Sequence, residues 1–501
     1  LLYRLALDEA QRSQVRRYLV DKYGIEPANN LVPNLVTDNG YLPITVENPS
    51  TPATRTLSPA EAESALQRDW LYQAEGKPLL QRAAEEIGWA RRLAARLARA
   101  PNPPNVTEDL ARLHSLEAAV KNDSCRNGAS EFQATRSQDF YFAVRQVKRR
   151  IAMKNPAVDF SRVLFIDQPY PQGPEWPHQA IHRLGHRAVC GGRLLVLDGL
   201  HPGGSLRLLA PRDKSGSLWR PDLSFDARRV VFCYKAHDEK AFHLYETNLD
   251  GTGLRQLTRG EYDDLDPIYL PDGHLMFTTT RGNTYVRCGP YIYSTLLARC
   301  DADGGNVYLV SQNSEPDFVP SLMEDGRVIY SRWEYTDKSV FRVQSLWTTN
   351  PDGTNTMVFW GNQSVWPDHL AEPRNIPGSR RVMFSGVGHH DWFAGSIGIV
   401  DPDRGFNYPD GITRVTWDVP WGEVGSTPND RPEAGDYHAA GRFTSYKTPY
   451  PLSESDLLVS ARGADGKFRL YLMDVHGNRE LIYEGVHHVW HAIPVKARAT
   501  P

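Results

Sequence analysis

The sequence predicts a mainly β protein, a six-bladed β-propeller closed by its C-terminal strand and preceded by an N-terminal α-helical region. After residue 159, short runs of β-forming residues alternate with Asp-Gly turns. Five segments of this region share one plan when the chain is aligned against itself. Their matched prolines Pro221, Pro267, Pro320 and Pro373 are 46, 53 and 53 residues apart. Repeats of this length are long enough for a four-stranded blade.

Each repeat predicts strand A with its proline, a tight turn, strand B ending in polar residues, strand C, a second turn and strand D. A sixth unit begins at "SRVLFIDQP" but has no strand A of its own. The C-terminal "VWHAIPVK" has the proline-containing pattern that would supply it. Pairing these two segments would close the ring and remove the exposed sheet edges of an open array.

The region before the repeats predicts helices. Residues 57–100 are rich in Ala, Leu, Glu and Arg, "PNPPN" at 101–105 ends this stretch, and two more helical stretches follow around 108–120 and 140–153. The apolar residues of the first stretch recur at helical spacing and need a partner surface. We therefore expect this region to pack on the propeller.

These patterns predict five parts of the chain. They are residues 1–25, then 26–57 as a linker or extended wrap, 58–158 as the helical region, 159–495 as the propeller and 496–501 as a tail. The opening "LALDEAQRSQVRRYLVDKYGI" resembles the closing segment of LamG-type domains. That resemblance implies that residues 1–25 are the tail of an upstream domain and that the chain is a piece of a longer protein.

Composition excludes several classes of function. The chain has 501 residues and a formal net charge of −3, which argues against nucleic acid as a partner. No apolar run reaches the length of a membrane-spanning helix. The five cysteines contain no CxxC or CxxCH motif, so neither a zinc ribbon nor covalent haem is encoded. One expectation is a disulfide between Cys288 and Cys300 across a hairpin. The alternative is that all five cysteines are buried or free thiols.

The predicted propeller has short turns on one face and longer loops on the other. Eleven of the 16 histidines fall in the longer loops. They are His178, His182, His186, His237, His369, His389, His390, His438, His487, His488 and His491. Solubility alone does not explain this bias, because Lys and Glu on either face would serve it equally. The loop face is therefore the predicted site.

One hypothesis for this face is a bound divalent metal. The candidate ligands are His369, His389, His390, Asp368 and Asp391, since imidazole and carboxylate together suit Zn, Mn or Fe. Adjacent residues on a strand point to opposite sides, so only one of His389 and His390 is expected to face inward. Hydrogen bonds that hold the loops in place are the alternative role for these histidines.

A second hypothesis is a ligand site, with carbohydrate or a protein as the partner. Its candidate residues are His237, Asp238, Asp264, Asp266, Arg281, Arg287, Arg332, Glu334, Glu372, Arg374 and Trp392. Trp333, Trp366, Trp392 and Tyr335 would serve as sugar platforms beside the acids. The arginines either bind an anionic group or form salt bridges with the same acids.

The propeller region resembles that of proteins related to the hydrazine synthase alpha subunit middle domain, which is TolB-like in its blades. The resemblance rests on "YDDLDPIYLPDGHLMFTTTRGN", "SRWEYTDKSV" and "SGVGHHDWFAGSIGIVDPDRG". It implies an exported multidomain protein. Haem-dependent hydrazine chemistry is not carried over, because the chain has no CxxCH.

Two functions of different class follow. The first is a ligand-binding or scaffold module, and the alternative is a metal-assisted lyase or hydrolase acting on carbohydrate. The sequence leaves open whether the chain is an enzyme.

Overall fold

The computed structural model describes residues 48–124, 131–170, 189–287, 289–335, 344–389, 395–422 and 433–501, with six positions between 10 and 22. The chain divides into two compact units, 1–42 and 43–501, and the helices and strands below belong to the second. The segment resembling a LamG-type tail lies almost wholly outside the described residues. No described helix is long and apolar enough to cross a membrane.

Four helices of the described part precede the strands. They are α1 (Pro59–Ala74), α2 (Leu79–Leu97), α3 (Thr107–Ser124) and α4 (Glu131–Met153). The Ser58 hydroxyl accepts a hydrogen bond from the Glu61 N–H (3.3 Å), and the Glu61 carboxylate accepts one from the Ser58 N–H (2.8 Å). This reciprocal cap fixes the start of α1, and Glu75 in the left-handed conformation ends it.

The described strands run from Arg162 to Pro494. They are β1 (Arg162–Gln168), β2 (Arg193–Asp198), β3 (Ser205–Ala210), β4 (Gly216–Leu223), β5 (Arg229–Ala236), β6 (His243–Asn248), β7 (Arg255–Gln256), β8 (Asp264–Tyr269), β9 (Leu275–Thr279), β10 (Tyr285–Val286), β11 (Gly289–Tyr293), β12 (Leu296–Cys300), β13 (Tyr308–Leu309), β14 (Asp317–Leu322), β15 (Val328–Trp333), β16 (Gln344–Thr349), β17 (Met357–Trp360), β18 (His369–Asn375), β19 (Val382–Val387), β20 (Ser396–Val400), β21 (Ile412–Arg414), β22 (Ser445–Pro451), β23 (Asp456–Arg462), β24 (Phe468–Asp474), β25 (Arg479–Tyr483) and β26 (His488–Pro494). A short 3₁₀ helix spans Pro402–Arg404.

The strands pair antiparallel in groups of four. Four separate sheets have the orders β26-β1-β2-β3, β4-β5-β6-β7, β8-β9-β12-β13 and β22-β23-β24-β25. The groups β14-β15-β16-β17 and β18-β19-β20-β21 are linked by one parallel pairing, Gln344 with His369. Strands β10 and β11 form a separate ribbon. The mainly β fold is confirmed.

The C-terminal strand β26 lies beside β1, the pairing expected from "VWHAIPVK" and "SRVLFIDQP". Strands β4, β8, β14, β18, β22 and β26 each lie at one edge of their group. Each contacts the next in this order, and β26 also contacts β4. We call these six the inner strands.

The helices pack on the sheet β22-β25. A shared apolar core includes Trp70, Ile87 and Val144 of the helices with Leu457 and Tyr471 of the sheet, each at most 2% exposed. Burying a large apolar side chain contributes about 1.5–3 kcal/mol. The expectation that the helical region packs on the strands is therefore confirmed.

Candidate functional site

Several predicted site residues lie where strands β14 to β19 reach the loop face. Strand register pairs Asp317 with Arg332, Trp333 with Gln344, Gln344 with His369, and His369 with Val387. His389 follows Val387 by two residues. Successive residues point to opposite faces of a sheet, so these side chains form two groups.

The first group is the amide–imidazole cluster, which we define as Gln344, His369 and His389. The His369 ring centroid lies 5.6 Å from that of Phe318, and the His389 centroid lies 5.1 Å from that of Trp333. Both histidines are buried. The cluster therefore lies where the strand group β14–β17, which carries Phe318 and Trp333, meets the group β18–β21, which carries His369.

Gln344 is the unusual member of this cluster. Its side chain is fully buried, and neither its amide oxygen nor its amide nitrogen has a hydrogen-bond partner among the described residues. A buried polar group without a partner costs about 1–3 kcal/mol. Gln344 was not among the predicted site residues, because a lone glutamine at a strand start has no diagnostic spacing.

The second group is the acid pair, Glu315 and Asp317. Both are buried, and Glu315 Oε1 and Asp317 Oδ2 accept no hydrogen bond within the described part of the chain. The Arg287 Nε lies 3.4 Å from Glu315 Oε1, and the Arg332 Nε lies 3.8 Å from Asp317 Oδ1. The sequence analysis named the two arginines but not the acids.

Burial raises the pKa of both acids. The pKa of Glu315 rises to about 7, although the Arg287 backbone N–H and guanidinium oppose the rise. The pKa of Asp317 rises to about 6 because burial outweighs the attraction of Arg332, and Glu334 adds to the rise. Carboxyls that titrate near neutral pH are common at functional sites.

The predicted sugar platforms are wrong for two residues. Trp333 is 0% exposed and Trp366 is 8% exposed, so neither offers a ring face to a ligand in solution. Trp333 packs edge-on against Tyr335 and His389 instead. Trp392 lies outside the described residues.

Only some of the predicted metal ligands lie among the described residues. Asp368, His369 and His389 come to the same strand ends, whereas His390 and Asp391 lie outside the described residues. Among the residues that are described, no group of three or more His, Cys, Asp or Glu side chains has a geometry that would hold a metal ion. The metal site therefore stays a prediction.

Other predicted residues are elsewhere in local ion pairs. Asp238 is bound by Lys214 (2.5 Å) next to His237, and both partners of this ion pair are partly exposed. Asp264 is fully buried and accepts two hydrogen bonds from the Arg281 guanidinium, at 3.0 and 2.7 Å. Cys300 is a free, buried thiol, so the hairpin disulfide is not formed.

The inner strands position a further set of polar residues. Each inner strand has one residue with positive φ at a β-bulge: Arg220, Asp266, Val319, Glu372, Thr448 and His491. We call them the axial residues. The first five directly precede a proline. A non-glycine residue with positive φ destabilises the fold by roughly 1–2 kcal/mol, so other contacts must offset this conformational penalty.

Hydrogen bonds between neighbouring inner strands provide those contacts. Asp266 accepts from the Val319 N–H (3.3 Å), Glu372 from the Thr448 N–H (2.8 Å), and the Thr448 hydroxyl from the His491 N–H (3.1 Å). Each bond joins one sheet to the next. The axial residues therefore hold the inner strands together, which accounts for Asp266 and Glu372 without a ligand.

The charges of the axial residues are also balanced by their neighbours. Burial opposes ionisation of Glu372, but Lys447, 3.1 Å away, and Arg220 hold its pKa below the ordinary value. Burial, together with Arg220 and Lys447, keeps the pKa of His491 well below 6.5. His491 is thus neutral at the axis.

The chain was compared with known proteins. No protein-family model and no curated protein matches it. Hydrazine synthase from Kuenenia stuttgartiensis is similar in structure, with a TM-score of 0.53 and 18% identity over 68% of this chain and 48% of that chain. The chain thus spans about half the length of that relative.

Two other solved structures are similar at lower TM-scores. TolB from Acinetobacter baumannii has a TM-score of 0.37 and 13% identity over 73% of each chain. An oligogalacturonate lyase from Vibrio parahaemolyticus has a TM-score of 0.35 and 11% identity over 64% of this chain and 79% of that chain. At these identities the likeness concerns the fold alone, and the chain shares its fold with hydrazine synthase over 68% of its own length.

Proposed function

We propose that residues 159–495 form a six-bladed ring closed by β26, and that this ring is a ligand-binding module of an exported multidomain protein. The contacts of the six inner strands with one another, and of β26 with both β1 and β4, support the ring. Export rests on the resemblance of the blades to exported relatives.

Truncation tests the ring. Removing residues 489–501 takes away most of β26 and leaves the edge of β1 unpaired. We expect the truncated protein to lose its cooperative thermal transition, measured by circular dichroism. A truncated protein that melts like the full chain would show that β26 does not close a ring.

The ligand site that we propose is the amide–imidazole cluster, with the acid pair beside it. The observation that supports it is Gln344, whose amide is buried but has no partner among the described residues. Natural proteins pair most buried amides, and an exception is explained when a ligand completes the hydrogen bonds. Amide, imidazole and protonated carboxyl groups both donate and accept, which suits the hydroxyls of a carbohydrate.

Two glutamine variants test this site. Gln73 is the matched control, because it is equally buried but donates hydrogen bonds to Asp69 (2.7 Å) and to the Arg479 carbonyl (3.4 Å). We expect Gln344→Leu to keep the melting temperature while it abolishes binding to a glycan array. Gln73→Leu should lower the melting temperature, because it leaves Asp69 short of a donor.

Two results would contradict the proposal. The first is wild-type protein that binds no glycan on the array. The second is a Gln344→Leu variant that loses as much stability as Gln73→Leu, because the amide would then have a structural role.

The alternative is metal-assisted cleavage of carbohydrate, and it is favoured by the convergence of Asp368, His369 and His389 at neighbouring strand ends. Elemental analysis of purified protein separates the two functions. Stoichiometric metal that is lost in a His369→Ala variant would favour the enzyme, and protein without stoichiometric metal would favour the binding module.

A further inference from the structure

A cavity lies at the opposite ends of the inner strands from the amide–imidazole cluster. Strand β14 begins at Asp317 beside the loop face and ends at Leu322 in the cavity wall. Leu322 is five positions after Asp317, which is about 17 Å of extended strand. The cavity has a volume of about 520 Å³, and the chain segment 496–501 forms one of its walls. It is therefore distinct from the loop-face site.

Arg374 was predicted for the loop-face site but lies instead in the wall of this cavity, where it is the exceptional residue. Its guanidinium lies over the Tyr450 ring at 5.2 Å from the centroid, but it has no hydrogen bond or ion pair to any of the described residues. Other arginines of the protein differ: Arg96 binds Asp456, and Arg281 binds Asp264. Arg374 thus carries a positive charge on the cavity wall without an ion-pair partner among the described residues.

The surroundings of Arg374 favour the binding of an anion. Burial lowers the pKa of Arg374, and the neighbouring cations Arg220 and Arg498 lower it further. The nearby Asp222 opposes this effect without reversing it, and it already accepts hydrogen bonds from Arg498 at 3.1 and 3.2 Å. A negative charge placed against Arg374 would therefore be stabilised strongly.

The rest of the lining sets the character of the ligand. Phe225, Leu322 and Tyr450 give the cavity apolar walls. A carboxylate matches the planar guanidinium because it accepts two parallel hydrogen bonds. Its apolar body would replace water against the aromatic walls.

We propose that this cavity binds a small organic carboxylate, with the carboxylate on Arg374 and the apolar body against Phe225, Leu322 and Tyr450. The site is independent of the ligand proposed for the loop face. Removal of Arg374 should weaken binding without destabilising the protein, because an unpaired, largely buried cation opposes folding.

Benzoate and its neutral analogue benzamide test the proposal by titration calorimetry. We expect saturable binding of benzoate to the wild-type protein and no binding of benzamide. Arg374→Met should weaken benzoate binding by at least tenfold and leave the melting temperature unchanged or higher. Arg380→Met is the control, since Arg380 is exposed and paired with Asp403 (2.5 Å), and it should bind benzoate like the wild type.

A crystal structure of the wild-type protein with 4-bromobenzoate gives a readout that does not depend on any variant. The anomalous signal of bromine should lie in this cavity, with the carboxylate on Arg374. Bromine at another place, or no ordered bromine, would overturn the proposal. So would wild-type protein that binds no benzoate, or an Arg374→Met variant that binds it as well as wild type.

Discussion

Buried polar groups at the helix–sheet interface differ from those at the amide–imidazole cluster. At the interface, Glu86 is fully buried between Arg145 (3.2 Å) and Lys148 (2.6 Å), and Arg145 also reaches Glu480 (3.4 Å). At the cluster, Gln344 is as deeply buried but its amide has no partner in the described part of the chain. A buried charge held by counter-ions is typical of a structural role, whereas a buried side chain whose polar atoms all lack a partner indicates a place for a ligand.

The pKa values differ in the same way. Burial opposes the ionisation of Glu86, but Arg145, Lys148 and Arg82 more than offset this effect, and its pKa lies below the ordinary value. At the acid pair, burial dominates and the pKa of Glu315 rises to about 7. The interface therefore keeps its charge, whereas the acid pair titrates near neutral pH.

The largest effect on stability should come from removing a paired, buried charge at the helix–sheet interface. Glu86→Leu leaves Arg145 and Lys148 buried without their main counter-ion, so we expect a loss of about 3–5 kcal/mol in the free energy of unfolding, measured by urea titration. Glu85→Leu is the control, because Glu85 is partly exposed in its ion pair with Arg82. Equal losses in both variants would show that the pairing of Glu86 has no special importance.

An intermediate and pH-dependent effect should come from the acid pair. The folded-state pKa of Glu315 is raised from 4.5 to about 7, so the stability from its protonated form is complete below pH 4.5 and is lost as pH rises to 7. Glu315→Gln keeps the neutral form at every pH. It should therefore be more stable than wild type above neutral pH.

Urea titrations at two pH values measure this effect. The stability advantage of Glu315→Gln over wild type should grow by about 2 kcal/mol between about pH 5 and about pH 8. An advantage that stays constant, or that shrinks as the pH rises, would mean that Arg287 keeps Glu315 ionised.

Local sequence patterns predicted the helical region and the repeated strands, because helix starts and proline-containing bulges depend on residues that are close in the chain. The helical region was predicted to begin at residue 58, and Ser58 and Glu61 cap α1 there. The matched prolines Pro221, Pro267, Pro320 and Pro373 mark equivalent bulges on four inner strands. Repetition made these positions comparable, although no single repeat would have identified them.

The site was less predictable because it depends on partners that are distant in the chain. Asp264 and Asp317 occupy equivalent places two residues before an axial residue, but Asp264 has the close, bidentate partner Arg281 whereas the Arg332 Nε remains 3.8 Å from Asp317. Residue type therefore does not distinguish a satisfied acid from an unsatisfied one. Trp333 shows the same limit, since an aromatic residue at a strand end packs between sheets as readily as it faces solvent.

The smallest effect should come from substituting Asp238, which the sequence pattern also predicted as a ligand-binding residue. Its ion pair with Lys214 is exposed to solvent, and such pairs add little to stability because water and salt screen them. Asp238→Asn should therefore leave the melting temperature and any glycan binding unchanged. Asp264→Asn, the buried counterpart with two bonds to Arg281, should lose about 1–3 kcal/mol. If Asp238→Asn instead abolishes glycan binding, the ligand site extends from the amide–imidazole cluster to the loop after β5, and the pairing of a side chain no longer separates structural from functional residues.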